Sequence, residues 1–226
     1  MVRTWIAVLL AAPLLAGAHA PREAARRVEE ADRVFKEIMA APDKGIPRDL
    51  LSDAHCIVIV PGMKHGGFVV GARYGKGVAL CRKSGGSGWT GPSTVRIESG
   101  SFGLQIGGGE VDLVMLVMND QGARKLMESK FTVGADATAA AGPVGRSVGA
   151  DTDAYMHAKI LSYSRSRGIF AGVVLDGATL RPDNDDNRIL YGRTVSHKDI
   201  LLGRVAPPPA ARGLIATLGS RSPRES

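Results

Sequence analysis

Aromatic side chains are scarce in this chain, at 5% of 226 residues, while glycine is abundant at 29. That balance disfavours a helical bundle and favours tight turns and close backbone contacts. Long apolar runs are also lacking. The longest, Trp5 to about Ala16, is shorter than the roughly 20 residues needed to cross a membrane as a helix. The five histidines (19, 55, 65, 157 and 197) show no metal-ligand spacing such as H-x-x-x-H. No basic stripe is interleaved with aromatics, and no zinc or helix-turn-helix pattern occurs, so nucleic acid is excluded as a partner. Cysteine is limited to Cys56 and Cys81. In an exported protein such a pair is open to two readings, a disulfide or two small buried strand residues.

What is present begins with MVRTWIAVLLAAPLLAGAHA. A cation at Arg3, a short apolar run and the small residues Ala18-His19-Ala20 have the form of a secretory leader, expected at 1–20. Leu15-Ala16-Gly17 is followed by alanine, so a lipobox cysteine is lacking and no lipid anchor is expected there. The expected location is therefore exported, periplasmic or associated with a cell envelope. At the other end, Pro207-Pro208-Pro209 and SRSPRES read as a disordered tail over 204–226. Leader and tail hold much of the +7 formal charge, and the 21–203 body carries a net charge of only +3. A single domain over 21–203, with 44% hydrophobic residues in the whole chain, is long enough to bury a core.

Residues 22–41 predict an amphipathic helix, with Ala24, Val28, Ala31, Val34, Phe35 and Ile38 at three- and four-residue steps. Its charges balance, which favours a face packed on the domain over a membrane-surface helix. A short helix is predicted over Pro47–Ala54. Strands then dominate. His55–Val60 is an apolar run ended by Pro61-Gly62. Gly67–Gly71 is expected to turn through Tyr74-Gly75-Lys76-Gly77 into Val78–Cys81. Further strands are expected at Ser93–Ile97, Phe102–Ile106, Val111–Met118, Met156–Ser162 and Gly168–Leu175. A helix is predicted over Asp120–Ser129 with Asn119 as its N-cap, and a helical turn over Asp199–Leu202. Paired glycines at 67 and 71, 103 and 107, and 168 and 172 read as places of close backbone approach in a curved sheet. The predicted fold is α+β, mostly antiparallel β, a curved sheet or barrel-like core with a few packed helices.

Chemical motifs mostly fail their own requirements. Gly145-Arg-Ser147-Val-Gly149 matches G-x-S-x-G, yet no βαβ series surrounds it and only His197 lies in the right chain order, so a hydrolase at Ser147 is a minor alternative. Asp183-x-Asp185-x-Asn187 starts like a calcium loop but lacks its glycine and its bidentate glutamate, and reads as a solvated acidic turn. No metal or organic cofactor is implied. What survives is a set of cations beside glycine-rich turns: Lys64, Arg146, Arg165 and Arg167. Such turns expose backbone N–H groups, and together with cations they suit an oxyanion. The competing reading makes them ordinary surface charges, with Arg165 and Arg167 paired to acids such as Asp151, Asp153 or Asp176.

The segments IPRDLLSDAHCIVIVPGMKHGGFVVGARYGKGVAL, SFGLQIGGGEVDLVMLVMN, AGPVGRS and YSRSRGIFAGVVLDGATL, in this order, resemble the SYLF domain family over roughly 25–203. The resemblance implies a non-enzymatic lipid-binding domain, similar to endocytic proteins that bind phosphoinositides and affect actin. For an exported chain it implies anionic phospholipid or a membrane surface as partner, the protein partner staying unknown. It also implies membrane contact through the N-terminal helix, here Val28, Val34, Phe35 and Ile38, and through the basic residues Lys64, Arg146, Arg165 and Arg167. The alternative is an envelope structural or protein-interaction module without a lipid site.

Overall fold

The computed structural model describes residues 19–40, 45–67, 70–85, 88–102, 107–145, 158–166 and 169–222. Six α-helices are described: α1 (His19–Met39), α2 (Arg48–Asp53), α3 (Asp120–Leu126), α4 (Asn184–Tyr191), α5 (His197–Leu201) and α6 (Arg212–Arg221). Nine strands are described: β1 (Cys56–Gly67), β2 (Val70–Cys81), β3 (Ser93–Phe102), β4 (Gly107–Val117), β5 (Phe131–Thr132), β6 (Ala139–Ala141), β7 (Ile160–Ser166), β8 (Ile169–Gly172) and β9 (Thr179–Pro182). They form one sheet in the order β5-β9-β3-β2-β1-β4-β7-β6, with β8 also paired to β7. The sheet is antiparallel except for β6 beside β7. It curls into a half-barrel with helices packed on it, the α+β class expected from the sequence.

The apolar run Cys56–Val60 is explained by its place. β1 lies at the centre of the sheet between β2 and β4, with a core on each face. Ile57 and Ile59 join α1, α2 and α6 through Val28, Phe35, Leu51, Leu214 and Leu218. Cys56, Val58 and Val60 face the opposite core with Leu126, Phe131, Leu180 and Leu201. A strand buried on both faces needs no polar alternation. Cys56 and Cys81 are cross-strand partners in β1 and β2, and their sulfurs form a disulfide.

Pro61-Gly62 does not end β1. The strand passes through a bulge between Val60 and Met63 and runs on to Gly67. Gly62 sits at φ +55 and its N–H donates to Asp112 Oδ1 at 2.9 Å. Tyr74-Gly75-Lys76-Gly77 is likewise no turn but the middle of continuous β2. Its glycines serve the bulge: a Cβ on Gly77 would strike the Ile59 carbonyl oxygen, and one on Gly75 would press on Val60. Gly172 shows the same use, since a Cβ there would meet the Gly142 backbone.

Two further expectations are corrected. The acidic stretch at Asp183 is the start of α4, with the Asp183 carboxylate accepting from Asp186 N at 3.3 Å as its N-cap. The 204–226 stretch is not a disordered tail over its described part. A 3₁₀ turn at Pro209–Ala211 leads into α6, where Ala211, Leu214 and Leu218 are fully buried against α1. Ser222 then accepts a hydrogen bond from the indole N–H of buried Trp89 at 3.2 Å. The Pro-rich composition suggested disorder, but Leu214 and Leu218, four residues apart, supply one apolar helical face.

Candidate anion-binding surface

α1 does carry the predicted apolar stripe, but the stripe faces inward. Val28 and Phe35 are fully buried, and Val34 and Ile38 nearly so, all within the core between α1, α6 and the sheet. They are not available for membrane contact in this structure. Burying four such side chains is worth several kcal/mol in total, at about 1.5–3 kcal/mol each, so the helix stays seated on the sheet.

Under α1 the sheet carries a row of charged residues. Alternation puts Arg165, Asp112, Lys76, Arg96 and Arg181 on the α1 side of β7, β4, β2, β3 and β9. Arg165 lies directly across from Asp112, Lys76 from Arg96, and Arg96 from Arg181. The β1 bulge, with Gly62 bonded to Asp112, fills the place between β4 and β2. On the core side of this row the face is apolar. On the other side, towards Gly67 and Gly107, lie Lys64, Tyr74, Glu98 and Glu110, all exposed.

Both ends of α1 are tied to the charged row. At its C-terminal end, Glu37 accepts from Arg165 Nη1, while Arg165 Nε and Nη2 donate to Asp112 Oδ2 at 3.0 and 2.6 Å. Burial lowers the Arg165 pKa, but the two carboxylates outweigh it and the group is held above its ordinary value. Nearer its N-terminal end, Arg27 donates to Asp186 at 2.5 Å. Lys76 Nζ reaches the same Asp186 at 3.1 Å and Asp183 at 2.8 Å. Burial pushes the ammonium down, and these hydrogen bonds push it further up, leaving the Lys76 pKa raised. Burial raises the Asp183 pKa, but the Lys76 hydrogen bond, the Asp186 N–H and the nearby cations together outweigh it and leave the carboxyl below its ordinary value.

Arg165 is therefore an ion-paired cation in this structure. Its guanidinium is taken up by Glu37 and Asp112, neither of which was among the acids expected from the sequence. Lys64 is accessible, with a side chain 76% exposed and Glu110 4.0 Å away. Arg146, Arg167 and Ser147 lie outside the described residues, as do Asp151, Asp153 and residues 1–18 of the expected leader. The structure thus does not bring Lys64 and Arg165 into one site. Large apolar or aromatic side chains are exposed at Ile169, 73% beside the β7–β8 turn, at Val174, 51% after β8, and at Tyr74, 46% and the cross-strand partner of Lys64.

Sequence reasoning passed over a buried polar knot between β3, α3, α4 and α5. His197 Nε2 lies 2.8 Å from the Leu126 carbonyl and so carries the proton, leaving Nδ1 to accept from Ser93 Oγ at 2.7 Å. Asn187 donates to Ser93 at 3.0 Å and accepts from Thr94 N at 2.8 Å. Ser93 and Asn187 are fully buried. Burial pushes the His197 pKa down, only partly opposed by the bond to Leu126. Because the imidazole offers Nδ1 rather than Nε2 to the serine and no solvent reaches Ser93, the pair pins the fold and is not a nucleophile with its base. The hint in the sequence was Asn187, read there as a loop residue.

A family model, Ysc84, described as Las17-binding protein actin regulator, matches residues 98–221, more than half of the chain and inclusive of α6. SH3 domain-containing YSC84-like protein 1 of Rattus norvegicus is 33% identical over 199 residues, covering 87% of this chain and 58% of that protein. LAS seventeen-binding protein 3 of Saccharomyces cerevisiae is 33% identical over 183 residues, covering 80% and 39%. Protein YSC84 of the same yeast is 31% identical over 210 residues, covering 89% and 44%. The chain spans about half the length of the curated relatives it matches. With these matches across a curled sheet of the expected class, the chain belongs to the Ysc84, or SYLF-domain, family.

Proposed function

We propose that this chain is a non-enzymatic binding module of a bacterial cell envelope that associates with anionic phospholipid. The observation that carries the reading is the makeup of one end of the sheet. β1 ends at Gly67 opposite the start of β4 at Gly107, and β7 turns into β8 at that same end. There Lys64 exposes a cation beside its half-exposed cross-strand partner Tyr74 on the α1 face, and Ile169 exposes an apolar side chain on the opposite face. Among the described residues Lys64 is held by an exposed pairing with Glu110, of a kind worth about 0–1 kcal/mol, so an anionic surface competes for it easily. An end of the sheet that exposes apolar and aromatic side chains together with a cation is suited to a charged bilayer, in a contact that loosens with salt.

A second reading is favoured by the engagement of Arg165 with Glu37 and Asp112, and by relatives named for binding Las17. It is a protein-interaction module without a lipid site. Co-sedimentation of residues 19–226 with phosphatidylcholine vesicles, with and without phosphatidylglycerol, separates the two. Binding to the anionic vesicles alone, reduced by salt and by Ile169→Ser, is expected. Absence of binding to either vesicle removes the lipid reading and leaves the protein-interaction one.

A further inference from the structure

Three cations meet on one strand rung with too few acids to match them. Lys76, Arg96 and Arg181 are successive cross-strand partners on β2, β3 and β9. Like charges placed directly opposite each other across strands destabilise a sheet. Lys76 is neutralised by Asp183 and Asp186. The other two have no hydrogen-bonded carboxylate among the described residues, and Arg96 meets Glu98 and Asp183 only at longer range. Glu98 is 3.8 Å from Arg96, beyond hydrogen-bond distance, and the buried Arg96 Nε has no hydrogen-bond partner. Arg181 is half-buried with no carboxylate partner among the described residues. Continuing the β5–β9 register by one residue sets exposed Lys130 beside Arg181 on the same face.

We infer that Arg96 and Arg181, flanked by Lys130, form a binding site for a phosphate group. Two guanidinium forks on neighbouring strands, with Cβ atoms about 5 Å apart, offer converging N–H donors in the planar geometry that phosphate oxygens accept. Solvent reaches the site: the Arg96 side chain is 43% exposed. The acids of the neighbourhood fill it only in part: Asp183 and Asp186 are hydrogen-bonded to Lys76 and Arg27, and Glu98 stays 3.8 Å from Arg96. The bound phosphate supplies the missing counter-charge. The site rests on the lipid reading for the source of its ligand, a phospholipid headgroup, while free phosphate has the same chemistry.

The test compares wild type, Arg96→Gln/Arg181→Gln and Arg96→Lys/Arg181→Lys, each as residues 19–226. Two responses are read: co-sedimentation with phosphatidylglycerol-containing vesicles, and the rise in Tm on adding inorganic phosphate in place of chloride at equal ionic strength. The glutamine pair is expected to bind vesicles about thirtyfold more weakly, two basic residues' worth of surface attraction, and to lose the phosphate response. Its Tm without phosphate does not fall, since a like-charge contact has been removed. The lysine pair keeps most of the vesicle binding. Equal vesicle binding and an equal phosphate response in wild type and the glutamine pair overturn the site and leave the lipid reading standing. A phosphate response that depends on both arginines, without vesicle binding by wild type, keeps the site and removes its lipid source. Neither response in wild type overturns both.

Discussion

Replacing Arg165 with glutamine separates a structural arginine from a lipid-binding one. The guanidinium and the Asp112 carboxylate are each about one-fifth exposed, at 21% and 19%. Exposed pairs contribute about 0–1 kcal/mol, and breaking a fully buried pair costs about 3–5 kcal/mol. This pair lies between, and one Asp112 oxygen keeps its bond from Gly62. The loss is therefore about 2 kcal/mol, and at about 2–4 °C per kcal/mol for a domain of this size the Tm falls by about 4–8 °C. Glu37 is 48% exposed, so Glu37→Gln costs less than about 1 kcal/mol. Thermal unfolding followed by circular dichroism reads both, and a double-mutant cycle of Arg165→Gln with Asp112→Asn isolates their coupling. Vesicle binding by the folded Arg165→Gln protein is expected to be unchanged. An unchanged Tm together with lost vesicle binding would refute the assignment and return Arg165 to the lipid surface.

Three other outcomes follow from the same structure. Leu218, fully buried against α1, is expected to cost about 3 kcal/mol on substitution by alanine, and a chain ending at residue 203 is expected not to fold; a cooperative thermal transition in that shortened chain would show α6 to be dispensable. Reducing the Cys56–Cys81 disulfide, which closes a loop with a sequence separation of 25, is expected to lower unfolding free energy by about 3.5 kcal/mol on the loop-entropy estimate, read as a lower urea midpoint with a slope that does not fall, since the freed denatured chain exposes more surface; an unchanged midpoint would refute it. His197, with its folded pKa lowered by burial, takes up its proton more readily in the unfolded chain; its contribution is complete above the unfolded value of about 6.5 and is lost as pH falls below it. Urea midpoints at mildly acidic and neutral pH should therefore differ more in wild type than in His197→Gln, and equal differences would remove His197 from the acid sensitivity.

The parts of the fold legible in the sequence were those set by periodicity and local chemistry. The spacing from Val28 to Ile38 gave α1 and its apolar face, and Asn119 marked the start of α3, where its side chain accepts from Gly122 N at 2.8 Å. Glycine misled where it served packing rather than turning. Gly75 and Gly77 read locally as a hairpin, yet they accommodate a bulge on the neighbouring strand that nothing in their own sequence announces. Composition misled at 204–222, where prolines drew attention from the Leu214 and Leu218 pair. Asp183, Asp185 and Asn187 looked like a solvated turn because an N-cap, a first-turn acid and a buried amide share one polar composition, and only burial separates them.

The candidate site was less legible than the fold, for a reason the charged row makes plain. Cations were sought beside glycine-rich turns, where local sequence alone can suggest an anion. Whether a cation is free depends instead on which acids other strands bring to it. Arg165 lost its freedom to Glu37, far away in the chain, and to Asp112 on the next strand. Arg96 and Arg181 stand in plain strand sequence, yet register sets them face to face. Asp183 and Asp186, which follow Arg181 in the chain, are committed to Lys76 and Arg27, and Asp185 between them pairs with Arg188. The same allocation that anchors α1 at both ends therefore leaves positive charge unmatched at the β3–β9 side of the sheet. An anion recruited there is bound without breaking either tie on α1, so recognition at Arg96 and Arg181 requires no release of the helix from its core.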